Sequence, residues 1–260
     1  LVLSFHGSDV NEIDPSSPHW RLIAQHTEAV TACSVALAKR VANLNLFKQP
    51  TQVIYNGIDC QHFAKLAESA PPIAEVSSPY ILNVGNYVPR KGQDVLLKAF
   101  KNIAPNHKNL KVVFVGGTDN GIWLDQLKEL AVKLEIEYRV DFLTDQPQSS
   151  IAALMRNAAC LVHTAHNEPF GLVIIEAGAC ATPLVATRVG GIPEIVSSDN
   201  FGLLATPGND EEIAGHICRI LESPDLAKNN ARNFLMEVQR KFSTEAMTIG
   251  YKNIILKPTQ

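Results

Sequence analysis

From residue 80 onward, short runs that are apolar almost throughout alternate with longer stretches whose apolar residues recur at helical spacing. Tyr80 to Val84, Leu110 to Val115, Arg139 to Leu143, Cys160 to His163, Leu184 to Thr187 and Gly202 to Ala205 read as strands. Helices are predicted near 93–103, 122–134, 149–157 and 171–180, and then over 210–222, 224–241 and 244–256. Apolar strands alternating with amphipathic helices predict an α/β fold, a parallel sheet with helices on both faces. Before it, Leu1–Phe5, Ala29–Cys33 and Val53–Tyr55 read as strands, and Trp20–Thr27 and Ser34–Leu46 as helices. Asn56-Gly57 is a turn signal, and the Pro- and Ser-rich stretch 68–79 reads as a loop.

Composition narrows the function classes. Lys plus Arg number 23 against 26 Asp plus Glu, a net charge of −3, which argues against a general polyanion binder and against nucleic acid as a partner. With 46% hydrophobic and 19% charged residues the chain is a folded globule with a sizeable core. No apolar run approaches the roughly 18 residues of a membrane-spanning helix. The five cysteines, at 33, 60, 160, 180 and 218, are odd in number and irregularly spaced, so free thiols in a reducing compartment are expected.

In a parallel sheet, ligands bind beyond the carboxyl ends of the strands, so chemistry is sought in the loops that follow them. After the first strand of the regular region comes Gly85-Asn86-Tyr87-Val88-Pro89-Arg90-Lys91-Gly92. Two adjacent cations just before a helix start suit a diphosphate, because the helix end adds free N–H groups and a positive dipole. A solvated basic turn is the alternative. The segment Asn167-Glu168-Pro169-Phe170-Gly171-Leu172 runs into a helix carrying Glu176. Here two acceptor carboxylates flank an amide cradle near Gly171 and Leu172, an arrangement that suits hydroxyls on both sides of a phosphate, as in a nucleotide sugar. Gly190-Gly191 permits close backbone approach to a ligand, or simply a tight turn. His163 and His166 have a metal-like spacing without a third ligand and read as ordinary loop histidines. His6 stands at the end of the first strand.

Taken together these residues resemble retaining glycosyltransferases of the GT-B fold, family 4 (group 1). The resemblance rests on Glu168-Pro-Phe-Gly-Leu-Val-Ile-Ile-Glu176, which has the family's Glu-x7-Glu form. Gly190-Gly-Ile-Pro-Glu194, Asn56-Gly-Ile-Asp59 and the Gly85…Lys91-Gly92 loop extend it in the family's order. Phe5-His6-Gly7-Ser8-Asp9 is similar to the last part of the family's N-terminal domain. Where the family often has Arg after the first glycine, this chain has Asn86, and Arg90 is expected to take over its charge.

The resemblance implies a Rossmann-like C-terminal domain over 52–241, preceded by a remnant of the N-terminal domain over 1–51, most of which is expected to be absent. Residues 242–260 would form a C-terminal helix packing back toward the N-terminal domain. It implies a hexosyltransferase-type enzyme using a nucleoside-diphosphate sugar, UDP- or GDP-linked, with no metal required. The catalytic residues would be Glu168, Lys91, Arg90 and His6. Gly85, Asn86, Arg90, Lys91, Phe142, Leu143, Phe170, Gly171, Leu172 and Glu176 would bind the donor, with the 142–143 strand end meeting the base. Glu168 would hold donor-sugar hydroxyls and Glu176 the ribose. The acceptor is expected to be a glycan or glycolipid of cell-surface polysaccharide or lipopolysaccharide synthesis. The expected location is cytoplasmic, with peripheral membrane association through the N-terminal domain. A retaining glycosidase also needs two carboxylates, but not Arg90-Lys91 beside a helix start. A sugar-nucleotide epimerase of the same fold, and a nucleotide-binding fragment inactive alone, stay as alternatives.

Overall fold

A computed structural model of the chain describes residues 1–70, 76 and 79–256. The elements run β1 (Val2–Phe5), α1 (Pro18–Gln25), β2 (Ala29–Ala32), α2 (Val35–Ala42), β3 (Thr51–Val53), α3 (Cys60–Ser69), β4 (Tyr80–Val84) and α4 (Gln93–Ile103). They continue as β5 (Lys111–Gly116), α5 (Ile122–Lys133), β6 (Val140–Thr144), α6 (Gln148–Asn157), β7 (Cys160–His163), α7 (Leu172–Ala179) and β8 (Leu184–Thr187). The last are α8 (Ile192–Ile195), β9 (Leu203–Ala205), α9 (Asp210–Glu222), α10 (Pro224–Lys241) and α11 (Thr244–Ile255).

Two parallel sheets result, one of three strands in the order β1-β2-β3 and one of six in the order β6-β5-β4-β7-β8-β9. The alternation of a pleated strand sorts the larger sheet's side chains. Leu82, Val113 and Leu161 face one buried cluster, which continues through Phe63, Ile174 and Phe234 into Phe5 and Val30 of the first unit. Ile81, Val112 and Phe114 face the other, under Leu96 and Phe100 of α4 and Ile217 of α9.

The order turns outward in both directions from β4 and β7, so a crevice opens between their carboxyl ends, the usual ligand position in such sheets. Pairing between these strands stops at Leu82 opposite Leu161. One residue further on, the buried Asn83 side chain donates to the Val162 carbonyl at 2.7 Å, replacing the ladder where the strands part.

Several local expectations are corrected. The helix α3 interrupts a region read without one. Asp59 caps it by accepting from the His62 amide at 2.8 Å, and Cys60, Phe63 and Ala67 form its buried face. Glu68 and Ser69, expected in a loop, end this helix, and residues 71–75, 77 and 78 of the same stretch lie outside the described residues. The strand expected at Val53–Tyr55 lies at Thr51–Val53, paired with β2, so the first sheet reaches across the division drawn at residue 51. Asn56-Gly57, expected as a turn, makes none and lies in the open stretch between β3 and α3. A Cβ on Gly57 would lie 2.3 Å from the Ser243 carbonyl oxygen, and Ile58 bridges Ser243 where the chain crosses back from α10. From there α11 runs against the first unit, and the Tyr251 hydroxyl meets Ser4 Oγ at 2.7 Å.

A second tie joins the two units. The first turn of α2 has N–H groups without helical acceptors. Ser34 Oγ accepts one, from Leu37, and donates its own proton to the Pro169 carbonyl at 2.7 Å. The Glu194 carboxylate, on α8 of the second unit, accepts the other two, from Val35 at 2.8 Å and Ala36 at 2.9 Å. A carboxylate at a helix N-terminus also meets the favourable end of the dipole. Glu194→Ala is therefore expected to lower stability by about 1–2 kcal/mol, with Glu194→Gln in between, measured by urea unfolding.

Candidate functional site

The loops after β4 and β7 are stitched together by backbone. The His166 amide donates to the Arg90 carbonyl at 2.9 Å, and Thr164 Oγ1 donates to the Lys91 carbonyl at 3.1 Å. Gly92 lies between them in the left-handed region at φ 64°, and a Cβ there would lie 2.2 Å from the Thr164 carbonyl oxygen. This residue both ends the basic turn and begins α4. The glycine pair at 190–191 does the same for the acidic loop. The Gly191 amide donates to the Glu168 carbonyl at 3.1 Å, and a Cβ on Gly190, at φ 51°, would collide with that oxygen. Of the two roles open to this pair, the close approach made is to protein backbone.

Around the crevice a cleft of about 320 Å³ is lined by His6, Asn56, Val84, Gly85, Asn86, Arg90, Lys91, Glu168, Phe170, Gly171, Leu172, Val173 and Glu176. It falls in the size range of small-molecule sites. Most residues singled out in the sequence thus meet in one place. Phe142 and Leu143 do not. The Phe142 ring stacks on Phe114, with centroids 5.1 Å apart, and the Leu143 carbonyl accepts the Tyr87 hydroxyl at 2.9 Å.

The acidic loop is held by charge as well as backbone. Lys91 Nζ donates to Glu168 Oε2 at 2.6 Å, with the side chains only 16% and 12% exposed. His163 Nε2 approaches the same oxygen at 3.3 Å. Burial alone would raise the Glu168 pKa, but His163 and Lys91 outweigh it and bring it to about 2. His163 is 2% exposed at the end of β7, so it belongs to the core of the site and not to a solvated loop, contrary to the sequence expectation. Burial pushes its pKa down, and Glu168 opposes that shift. Missing from the sequence was any sign of which way a strand-end side chain points.

Glu176 is different. Burial raises its pKa, and no protein donor reaches its carboxylate among the described residues. It lies about one turn into α7, whose start at Gly171, φ 113°, has no side-chain cap. The free amides there lie between Glu168 and Glu176. On the other wall Arg90 is exposed and makes no ion pair among the described residues. His6 reaches the cleft from the first unit, its amide donating to Asp9 Oδ2 at 2.9 Å and its ring Nε2 3.0 Å from Ser4 Oγ. A cleft so equipped offers cations and helix amides for an anion, together with two acceptor carboxylates. Among the described residues no group of three His, Cys, Asp or Glu side chains could hold a metal ion, and no helix is long and apolar enough to cross a membrane.

In sequence and in fold the chain is similar to known proteins. The pattern of the family Glycosyl transferases group 1 matches residues 67–234. An uncharacterized glycosyltransferase of Methanocaldococcus jannaschii is 29% identical over 256 residues, covering 97% of this chain and 67% of that protein. The N-acetyl-alpha-D-glucosaminyl L-malate synthase of Bacillus anthracis is 28% identical over 261 residues, covering 98% and 67%. The chain therefore spans about two thirds of the length of these relatives. Among solved structures, Anabaena HepE in complex with UDP and glucose superposes with a TM-score of 0.81 at 25% identity, over 97% of this chain and 70% of that one. With more than half its length matched by the family pattern and its fold shared with these structures, the chain belongs to the glycosyl transferases group 1, with the GT-B Rossmann-like fold.

Proposed function

We propose that this chain carries the donor-binding half of a retaining glycosyltransferase, which moves a sugar from a nucleoside diphosphate to an acceptor hydroxyl. The observation that carries the reading is the cleft itself, which brings Arg90, Lys91 and the start of α7 together with two carboxylates of opposite character. A structural neighbour that binds UDP-glucose supports a UDP-linked donor.

In this reading the diphosphate lies against Arg90, Lys91 and the amides that begin α7. Glu168 accepts donor-sugar hydroxyls, and Glu176 accepts the ribose hydroxyls. His6 reaches the sugar from the first unit. As the bond from the anomeric carbon to the phosphate oxygen breaks, negative charge collects on the departing diphosphate. Fixed cations and amides aimed at that charge lower the barrier without reorganising. The acceptor oxygen bonds to the anomeric carbon on the face the phosphate leaves. Its proton passes to a phosphate oxygen, so configuration is retained. The acceptor in this proposal is a glycan or glycolipid hydroxyl, presented with help from the N-terminal part of the enzyme at the cytoplasmic face of a membrane.

Two expectations follow from the roles of Lys91 and Glu176. Lys91→Ala removes a charge-assisted contact to phosphate and leaves Glu168 without its cation. Calorimetry should show nucleoside diphosphate affinity falling about ten- to a hundredfold while nucleoside affinity is nearly unchanged. Equal losses for both would remove the phosphate role.

For Glu176 the sign of the pKa shift sets the outcome. Its folded value lies above the unfolded one, so its protonated form favours folding at acid pH. That contribution is lost as pH rises through the raised value, and at pH 7 the ionised carboxylate opposes folding. Glu176→Gln should therefore raise the melting temperature of the unliganded chain at pH 7. In the same variant, affinity for UDP should fall about tenfold, and affinity for 2′,3′-dideoxy-UDP should hold. A variant that binds UDP like the parent would exclude the ribose role.

A further inference from the structure

The Lys91–Glu168 pair poses a problem for the donor-binding reading, on which the following inference rests. If Lys91 turns toward a diphosphate, Glu168 loses its cation when it must accept sugar hydroxyls in a fixed place. Lysine is a compact charge on a flexible four-carbon stem and can be shared in this way. Something more rigid has to keep the carboxylate where it is.

His163 meets that description. It ends β7, an inner strand paired with both β4 and β8, and only 2% of it is exposed. Its Nε2 is buried and has no well-aligned hydrogen-bond partner, an uncommon state for a buried polar atom. The acceptor facing it is Glu168 Oε2 at 3.3 Å. Tightening by about 0.3–0.4 Å would bring this contact to an ordinary N–H···O distance. Both protein contacts of the Glu168 carboxylate fall on Oε2, and Oε1 has none among the described residues.

We propose that His163 is a positioning residue of the sugar site: its Nε2–H, fixed by the core, holds Glu168 Oε2 so that Oε1 stays aimed at the cleft as the acceptor for a donor-sugar hydroxyl. The tautomer follows from the geometry. A bare Nε2 lone pair facing a carboxylate would be repulsive, so the proton is on Nε2. The ring is neutral, since a charged imidazole there would put a second buried cation beside Lys91, and burial pushes its pKa down. Glu168 is then held by one mobile cation and one immobile neutral donor. When the diphosphate engages Lys91, the histidine keeps the carboxylate in register.

The test separates the sugar contribution to binding from the nucleotide contribution. Affinities of the whole 260-residue chain for UDP and for UDP-glucose are measured by calorimetry. His163→Phe, which keeps a flat aromatic ring and removes the donor, should lose the extra affinity for UDP-glucose, a fall of about tenfold, while UDP still binds. His163→Gln, whose amide can donate from a similar position, should recover most of it. Equal losses for UDP and UDP-glucose would reduce His163 to a packing residue, and an intact preference for UDP-glucose in His163→Phe would likewise overturn the proposal.

If the parent chain gains nothing from the sugar, it is the donor-binding reading that fails. The histidine tie is then judged by nitrogen-detected NMR of the imidazoles, with the His163 signals identified from their absence in His163→Gln. The expected result is a neutral His163 ring at pH 7 with its proton on Nε2, and with both ring nitrogens shifted in Glu168→Gln. A ring that is charged, or indifferent to Glu168→Gln, rejects the proposal whatever the nucleotide data show.

Discussion

The backbone of Glu168 and Pro169 is where the two units of this molecule come together. The Glu168 carbonyl accepts from Gly191, and the Pro169 carbonyl accepts from Ser34 of the first unit. Gly190 and Gly191 are small because that backbone passes within contact distance of them. Even Gly7, beside His6, would bring a Cβ to 3.0 Å from the Pro169 ring. With the main chain held from three directions, the Glu168 side chain can be committed to Lys91 and His163, and α7 can begin in the open with its amides free. The chemistry of the cleft follows from that fixed point.

The two carboxylates show how environment divides one side-chain type between roles. Both are largely shielded from water, which by itself raises a carboxyl pKa. Glu168 has donors on one oxygen and is strongly acidic, whereas Glu176 has none and is pushed the other way. One is a preorganised anion, and the other is a group whose desolvation awaits a partner. A partly desolvated carboxylate without a protein donor costs free energy that a bound hydroxyl can return, so stability in the empty state is exchanged for affinity in the full one.

Much of the fold was legible because parallel strands buried on both faces are apolar nearly throughout, and such runs are hard to confuse with loops. The strands from Tyr80 to Ala205 and the helices between them lie within a residue or two of their expected places. The failures have separate causes. The helix α3 was announced by Asp59 and by apolar residues at 60, 63 and 67, a signal that was there but not read. The Asn56-Gly57 dipeptide looks like a turn in isolation, and only the return of Ser243 explains its glycine. The short helix α8 was not expected, since four residues give no period to detect. At the site, residue types near strand ends could be found from the chain alone. The Lys91–Glu168 pairing spans 77 positions and could not, nor could the inward turn of His163. Phe142 and Leu143 were placed by analogy, and the aromatic stack that occupies Phe142 is a tertiary fact.

The buried Gln93 amide has a consequence for how this molecule can be observed. Its Nε2 donates to the Asn86 carbonyl at 2.9 Å, and its Oε1 accepts from the Trp123 indole at 3.1 Å. The chain has two tryptophans, and the other, Trp20, lies in α1 of the first unit. One indole is thus wired through a single side chain to the turn that precedes Arg90. The protein contains its own fluorophore one side chain away from the cleft-lining Asn86, and rearrangement of that turn should register as a change of emission without any added label.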